Sequence, residues 1–471
     1  MQVVKNYLYN ASYQIFILLV PLLTTPYLAR VLGPTGVGIN AFTNSVIQYF
    51  ILFGSIGVNL YGNRQIAFVR DKKSKLTTTF YEIFFMRIMT IIVAYVAFLI
   101  FLSLTGQYHV YYLAQSVSII AAALDISWFF MGIENFSVTV IRNFIVKIIT
   151  LICIFTFVRS YSDLTSYILI LSLSLLIGNM TLFPNLRKYI GKLHLKELKI
   201  AQHIQPSIAL FIPQIATQIY LVVNKTMLGT MTSVQASGYF DQSDKMIKMV
   251  LAIVTATGTV MLPHVANAFM RGETEKTKNY LYKSFMFVSA VSVPMMFGIM
   301  AVANKFVPLF FTNRFAVVAP LMTVEAVVIL LIAWSNALGT QYLVPTNQNK
   351  AYTMSVVLGA IVNIVMNIPL ILMWGALGAS VATVLSELAV TGYQLYAVRK
   401  QIEFKLLFKD TYKFIVAGII MFLAVKVIDS STPSTWSMLA IEVIVGIVVY
   451  MAVLLLARTS IVKDAKDLLK H

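Results

Sequence analysis

About fourteen apolar runs occupy most of this chain, and they constrain its fold more than any other feature. Each run is long enough for a helix to cross the roughly 30 Å of hydrocarbon in a bilayer. The first six runs lie at 12–32, 39–61, 78–103, 108–130, 138–158 and 163–186. The others lie at 206–229, 240–263, 281–303, 317–342, 351–373, 377–397, 411–428 and 436–457. The sequence therefore predicts an all-α integral membrane protein with about 14 transmembrane helices.

The charged residues report orientation rather than nucleic-acid binding. They make up 11% of the 471 residues, with a formal net charge of +18. The basic residues are concentrated in alternate loops, as at 64–75, 187–199, 271–283 and 399–409. The opposite set, in loops and at the adjoining helix ends, holds only Arg30, Arg159, Lys305, Arg314 and Lys426. By the positive-inside rule both termini lie in the cytoplasm, and we expect a multi-pass protein of the cytoplasmic membrane with no nucleic-acid partner.

A weak internal repeat relates the two halves of the chain. The segment 26–33, which ends in Leu32-Gly33, has a counterpart at 224–229, and each is followed by a helix that begins at a glycine, Gly38 or Gly238. Parallel repeats of six helices are a transporter architecture. We therefore predict a six-helix lobe at 1–200, a second at 201–402, and two further helices with a cytoplasmic tail at 403–471.

The first apolar run carries two prolines and a charge, which is unusual inside a membrane. Pro21 and Pro26 each remove a backbone donor and bend the helix, and Arg30 follows on the same segment. A lone guanidinium in hydrocarbon costs several kcal/mol, so a charged residue there usually faces a cavity or a partner. The pattern indicates a water-filled interior next to this helix.

Five basic residues inside the predicted helices are candidates for binding an anionic substrate: Arg30, Lys147, Lys225, Lys245 and Lys248. Arginine and lysine are the side chains that recognise phosphate groups best, so a diphosphate is a natural match. Lys245 and Lys248 each follow an acid by four residues, the favourable order for ion pairs on a helix.

Four acids are candidates for ion coupling: Asp125, Asp241, Glu325 and Glu387. Asp125, Glu325 and Glu387 have no partner nearby in the sequence. Each can bind a cation or titrate if it faces a cavity, and each can equally pair with one of the lysines.

The sequence lacks the motifs of nucleotide-driven or catalytic sites. It has no Walker A pattern, no HExxH or GxSxG motif, no clustered Cys/His site, and one cysteine, Cys153. We expect no metal, no cofactor and no enzymatic activity. The energy for transport would come from an ion gradient, the membrane potential or substrate flux.

Four segments resemble a known family of transporters. They are the first-helix stretch from Pro26 to Gly38, the stretch 57–67 at the end of the second run, the stretch 125–136, and the segment from Pro213 to Gly229 followed by Gly238-Tyr-Phe-Asp. Together they resemble the Wzx-type polysaccharide transporters of the multidrug/oligosaccharidyl-lipid/polysaccharide exporter superfamily. The resemblance implies two six-helix MATE-like lobes around a central cationic cavity, and alternating access.

The resemblance also implies a substrate and partners. Such flippases move undecaprenyl-diphosphate-linked oligosaccharide repeat units to the outer leaflet for capsule, O-antigen or exopolysaccharide assembly. Partners would be membrane lipids and, in the same assembly, a polysaccharide polymerase and glycosyltransferases. The alternatives are a multidrug or organic-cation exporter of the same fold, a lipid II flippase, and a membrane glycosyltransferase or polymerase. The last would need long extracytoplasmic loops, which this chain lacks.

Overall fold

A computed structural model of the chain describes residues 2–192 and 198–462. Side chains are not described at 2–15, 17, 18, 212–214, 216, 217, 220, 221, 257, 259 and 260. All the regular secondary structure of the described residues is helical.

The helices of the first half are separated by short turns. They are α1 (Gln2–Ser55), α2 (Val58–Val69), α3 (Lys73–Leu104), α4 (His109–Ala123), α5 (Ser127–Gly132), α6 (Phe136–Phe157), α7 (Leu164–Met180), α8 (Phe183–Leu186) and α9 (Ile204–Met231). Short 3₁₀ turns, Tyr161–Asp163 and Ile200–His203, precede α7 and α9.

The second half has longer helices and one π-helical segment. Its helices are α10 (Val234–Met270), α11 (Thr274–Phe310), α12 (Val318–Ser335), α13 (Asn349–Trp374), α14 (Ala376–Val398), α15 (Phe404–Leu407), α16 (Thr411–Ser431) and α17 (Trp436–Leu456). The 3₁₀ turn Asn313–Phe315 precedes α12, and the π-helix Asn336–Leu343 continues α12.

The number of membrane spans agrees with the sequence prediction once the long helices are divided. Among the described residues, 11 helical stretches are long and apolar enough to cross a membrane, or up to 12 if the bent pair Val234–Ala256 and Met261–Met270 forms one span. The first stretch, Leu19–Val69, covers two of the apolar runs, and α9 corresponds to the run at 206–229. The predicted all-α, multi-pass membrane protein is confirmed.

The gap between the first two apolar runs, 33–38, contains a helix break at a single residue. Gly33 has φ 64° and ψ −178°, a conformation open only to glycine, and α1 continues on both sides of it. Pro34 lacks the N–H that would otherwise seek a helical acceptor, and its fixed φ suits the first turn of a helix. One glycine therefore breaks α1 between the first two apolar runs, and the helix resumes directly after it.

The chain divides into two compact units, Met1–Gly229 and Thr230–His471, which we call lobe 1 and lobe 2. In lobe 1, α1 packs against α3, α4 and α6, and α4 packs against α7. In lobe 2, α11 packs against α10, α12 and α16, and α13 packs against α14. The division at 1–200, 201–402 and 403–471 stays a prediction.

The core of lobe 1 is built around Trp128, which is fully buried. Its ring stacks on Phe80, with centroids 5.6 Å apart, and its indole N–H donates to the carbonyl oxygen of Asp125 at 3.0 Å. The α2 backbone passes so close that a Cβ at Gly62 would lie 2.5 Å from the indole. Two of the segments quoted for the resemblance, 57–67 and 125–136, therefore meet here.

A buried polar cluster fastens the segment before α9 to lobe 1. Glu82 of α3 contacts His203 Nε2 at 2.8 Å and accepts a hydrogen bond from the backbone N–H of Lys199 at 2.6 Å. The Tyr61 hydroxyl lies 2.7 Å from the other ring nitrogen of His203. Since Glu82 and His203 are both buried, each satisfies a polar group that would otherwise be costly to bury.

A buried ion network holds α16 and α17 to α11 in lobe 2. Lys305 of α11 pairs with Glu442 of α17, donates to Thr432 Oγ1 at 2.9 Å and lies 3.4 Å from Asp429 Oδ1. Lys426 of α16 pairs with the other oxygen of Asp429 at 2.8 Å. Lys305 and Glu442 are 3% and 0% exposed. The prediction that Lys305 lies in a loop is wrong, because α11 extends to Phe310.

The network predicts that single and double substitutions will differ. Glu442→Gln should destabilise the protein by about 3–5 kcal/mol, because it leaves Lys305 without its main counterion in a dry site. Lys305→Met combined with Glu442→Met should cost less than the single change, since no uncompensated charge remains. Thermal unfolding of the purified protein in detergent checks both.

The control is Glu403→Gln, at the exposed residue directly before α15. It should leave the midpoint of unfolding unchanged. A wild-type midpoint for Glu442→Gln would show that the Lys305 pair does not stabilise lobe 2.

Candidate functional site

A polar stripe runs along the second part of α1. Asn40, Asn44 and Gln48 follow one another at intervals of four residues, so they share one helix face. Gln48 Nε2 lies 3.5 Å from Asn44 Oδ1, and Gln115 of α4 donates to Asn40 Oδ1 at 3.2 Å. The stripe starts seven residues after the break at Gly33, which sets the direction of this part of α1.

The stripe borders a cavity of about 280 Å³ between α1, α4, α6 and α7, which we call the lobe 1 pocket. A cavity of this size lies just below the usual range of small-molecule sites, about 300–1,000 Å³. Its polar lining consists of Asn40, Asn44, Gln48, Gln115, Ser118, Lys147, Thr150, Ser172 and Ser174. The lining has one cation and no carboxylate.

Lys147 is that cation, and it comes from the middle of α6. Its side chain is exposed, and none of the hydrogen bonds or ion pairs of the described residues involves it. Nearby, Thr150 and Ser172 donate their hydroxyl protons to the backbone carbonyls of Val146 and Ile168, at 2.7 and 3.0 Å. Their hydroxyl oxygens keep lone pairs, while Lys147 supplies the positive charge of the pocket.

Gln115 contributes a second unusual group. The residue is 4% exposed and its Nε2 is used by Asn40, but its Oε1 is buried and has no hydrogen-bond partner among the described residues. A buried amide oxygen without a donor costs about 1–3 kcal/mol. The lobe 1 pocket therefore combines a cation with an acceptor that lacks a donor.

Arg30 lies away from this pocket. It is exposed on α1, and its Nη1 donates to the Pro26 carbonyl at 3.0 Å. The neighbouring Tyr27 hydroxyl donates to the carbonyl of Val158, just beyond α6, at 2.6 Å. Lys147 lies eleven residues before Val158, which is about 16 Å along a helix at 1.5 Å per residue. The two cations therefore belong to different levels of lobe 1.

A second cavity of about 220 Å³ borders the same stripe at its other end. It lies between α1, α2 and α9, and its polar lining includes Gln48, Ser55, Asn59 and Gln218. Gln48 borders both cavities. The stripe thus connects two polar sites within lobe 1.

Asp125, a candidate for ion coupling, has a partner that the sequence does not show. Arg87 of α3 is buried and donates to the Ala122 carbonyl at 2.6 Å and to Asn59 Oδ1 at 2.7 Å. Its Nη2 lies 3.5 Å from Asp125 Oδ2, and Asp125 Oδ1 accepts from the backbone N–H of Ser127 at 2.9 Å. Asp125 therefore balances a buried cation and caps the turn between α4 and α5.

In lobe 2, two predicted ion pairs form on α10. Lys245 Nζ lies 2.5 Å from Asp241 Oδ2, and Lys248 Nζ lies 2.7 Å from Asp244 Oδ2. The lysine side chains are 43% and 45% exposed, whereas Asp241 is 5% exposed. Pairing neutralises much of the positive charge that the sequence suggested here.

Glu325 of α12 is 3% exposed and accepts a hydrogen bond from the Ser243 hydroxyl of α10. Asp244, Lys248 and Ser380 are the other polar groups around it.

The two remaining candidates lie on helices of different lobes. Glu387 is buried on α14 in lobe 2. Lys225 is half-buried on α9 in lobe 1, next to Thr226, whose hydroxyl lies 2.8 Å from that of Ser45 on α1.

Comparisons with known proteins agree with this picture. The profile of a family described as polysaccharide biosynthesis protein matches residues 3–269. A protein of Escherichia coli (strain K12) named as an O-antigen transporter is 22% identical over 400 residues, which cover 84% of this chain and 96% of that protein.

Two solved structures show the same fold. Lipid II flippase MurJ in an inward closed conformation has a TM-score of 0.78 at 15% identity, covering 96% of this chain and 99% of that chain. An inward-facing multidrug resistance transporter of the MATE family has a TM-score of 0.64 at 11% identity, covering 81% and 94%. The predicted MATE-like fold is confirmed.

The Arg87 contacts predict a role in stability. Arg87→Met should destabilise the protein by about 3–5 kcal/mol, since it leaves Asp125 without its counterion and two oxygens without their donor. In a double-mutant cycle with Asp125→Asn, the coupling energy should be about 0.5–3 kcal/mol. Asp125→Asn keeps the oxygen that caps Ser127. Thermal unfolding gives all the values.

Arg64→Met serves as the matched control, because Arg64 is exposed on α2. If the effects of Arg87→Met and Asp125→Asn on the free energy of unfolding were additive, Arg87 and Asp125 would not interact energetically.

Proposed function

The chain belongs to the polysaccharide biosynthesis protein family, and from this we propose that it is a flippase for lipid-linked oligosaccharides. Its substrate would be an undecaprenyl-diphosphate-linked repeat unit, moved from the inner to the outer leaflet by alternating access. The family match, which covers more than half of the chain, is the observation that carries the proposal. A relative named as an O-antigen transporter supports it, and a lipid II flippase has the same fold.

The distribution of charge in lobe 1 supports an anionic substrate. Arg30 is exposed on α1, and Lys147 supplies a charge that no carboxylate of its pocket balances. Basic side chains replace part of the hydration that a diphosphate loses when it leaves water, which lowers the barrier to crossing. We assign Arg30 to the diphosphate, with Lys225 as a further contact.

The same charges argue against a multidrug exporter of the same fold. An organic cation needs carboxylates or aromatic faces in its site, and Lys147 would repel it from the lobe 1 pocket. In lobe 2, Asp241 and Asp244 are each paired with a lysine. Lys245 and Lys248 would therefore bind an anionic substrate only if it displaced Asp241 and Asp244 from these ion pairs.

We propose that the driving ion acts at Glu325. Among the four candidate acids, Asp125 and Asp241 each face a basic side chain within 3.5 Å. Glu325 is buried and held by the hydroxyl of Ser243, with Asp244 and its partner Lys248 nearby. A carboxylate among hydroxyl oxygens is a site that a proton or a small cation can occupy. Glu387 stays a second candidate for the same role.

The proposal includes a place in the cell. The protein would lie in the bacterial cytoplasmic membrane with both termini in the cytoplasm. There it would receive repeat units from glycosyltransferases and deliver them to a polymerase on the outer side. Catalysis of sugar transfer is not part of its function.

The decisive measurement is leaflet-resolved movement of undecaprenyl-diphosphate-linked oligosaccharide in proteoliposomes. We expect the protein to accelerate movement, Arg30→Ala to reduce the rate at least tenfold, and Arg30→Lys to retain part of it because the charge remains. Lys400→Ala, at an exposed position after α14, is the control. If the protein moved lipid II but not the oligosaccharide lipid, or exported only a cationic dye, the proposed substrate would be wrong.

A second measurement tests Glu325. In the same vesicles, an imposed proton or sodium gradient should change the wild-type rate, and Glu325→Gln should remove that response while slow movement persists. Glu403→Gln is the matched control. An unchanged response in Glu325→Gln would transfer the coupling role to Glu387.

A further inference from the structure

We propose that the lobe 1 pocket binds a sugar residue carrying an acidic group and that Lys147 selects for its charge. This rests on the proposed flippase function and identifies which part of the substrate the pocket takes. The pocket would read the head group, while the diphosphate is bound elsewhere.

The first argument is chemical complementarity. Gln115 Oε1 needs a donor and Lys147 Nζ needs an anionic acceptor. A fully ionised diphosphate offers acceptors only, so it cannot satisfy Gln115. A sugar with free hydroxyl groups and a carboxylate or phosphate substituent provides both. Neutral sugars would satisfy Gln115 but leave the lysine without an anion.

The second argument is the number of charges. The pocket lining holds a single cation, Lys147, and otherwise amides and hydroxyls. Paired phosphates are usually bound by several arginines, lysines or backbone N–H groups acting together. One lysine among neutral donors and acceptors is better matched to one negative charge on a polyhydroxylated ring.

The third argument is position and size. Tyr27, three residues before Arg30 on α1, donates to the carbonyl of Val158, whereas Lys147 lies about 16 Å from Val158 along α6 by the rise of 1.5 Å per residue. A substrate with a diphosphate at one level has its sugars at another. The cavity of about 280 Å³ suits one sugar residue better than a whole repeat unit.

The amide stripe on α1 would orient the ring. Asn40 accepts a hydrogen bond from Gln115, which orients its amide, and Asn44 and Gln48 extend the same helix face. Side-chain amides present a donor and an acceptor side by side, which matches adjacent sugar hydroxyls. Gln48 also borders the second cavity, so the next sugar of the chain can lie there.

The test compares two substrates on the same undecaprenyl diphosphate in proteoliposomes: one with a neutral hexose head, the other with the corresponding uronic acid. We expect wild type to move the acidic head faster. Lys147→Gln should lower the rate for the acidic head about tenfold and change the rate for the neutral head less than twofold. Lys147→Arg should restore the preference.

Lys400→Gln is the control, and monodisperse elution with an unchanged unfolding midpoint verifies that the Lys147 variants fold. Equal losses for both heads would mean that Lys147 contacts the diphosphate they share, and would overturn the assignment. No loss for either head would place the pocket off the substrate path. If wild type moves neither head, the flippase function itself fails, an outcome distinct from a loss of preference.

A binding measurement separates the two sources of negative charge. The reporter is a cysteine placed in the pocket lining by Ser118→Cys, combined with Cys153→Ser and Lys147→Arg. Glucuronate and inorganic pyrophosphate can each be tested for the protection of this cysteine against a thiol reagent. Protection by glucuronate but not by glucose or pyrophosphate is expected. Protection by pyrophosphate alone would assign the pocket to the diphosphate.

Discussion

The cost of leaving a polar group unsatisfied in hydrocarbon governs this structure. Backbone groups meet the constraint by forming helices, which account for all the regular structure of the described residues. Side chains meet it in two ways, by pairing inside a lobe or by facing a polar cavity. Charged side chains that pair inside a lobe hold the protein together, whereas those that face a polar cavity are available to a substrate.

The paired charges lie where helices must be held at a fixed distance. Arg87 connects α3 to the turn after α4, and Lys305 connects α11 to the two last helices. Removing one partner of such a pair leaves an isolated buried charge, so these residues resist substitution regardless of any role in transport. Lys147 is of the other kind, because it borders a cavity and has no carboxylate beside it.

The sequence predicted the features that depend on local spacing. The length of the apolar runs predicted the helices, and intervals of four residues predicted the ion pairs of Lys245 and Lys248 with their acids. It did not predict that Arg87 meets Asp125 or that Lys305 meets Glu442, because those contacts join segments far apart in the chain. Helix periodicity shows which face of its helix a residue lies on, but not which other helix packs against that face.

The same limit applies to the candidate site. Lys147 stood out in the sequence because a lysine in an apolar run is rare. The neutral part of its pocket was missed, although Asn40, Asn44 and Gln48 repeat every four residues along the chain. Neutral amides cost less free energy to place in a membrane than charges do, so their presence in an apolar run is a weaker signal of function. They nevertheless decide what the lysine can bind, because a cation alone selects charge and the amides beside it select shape.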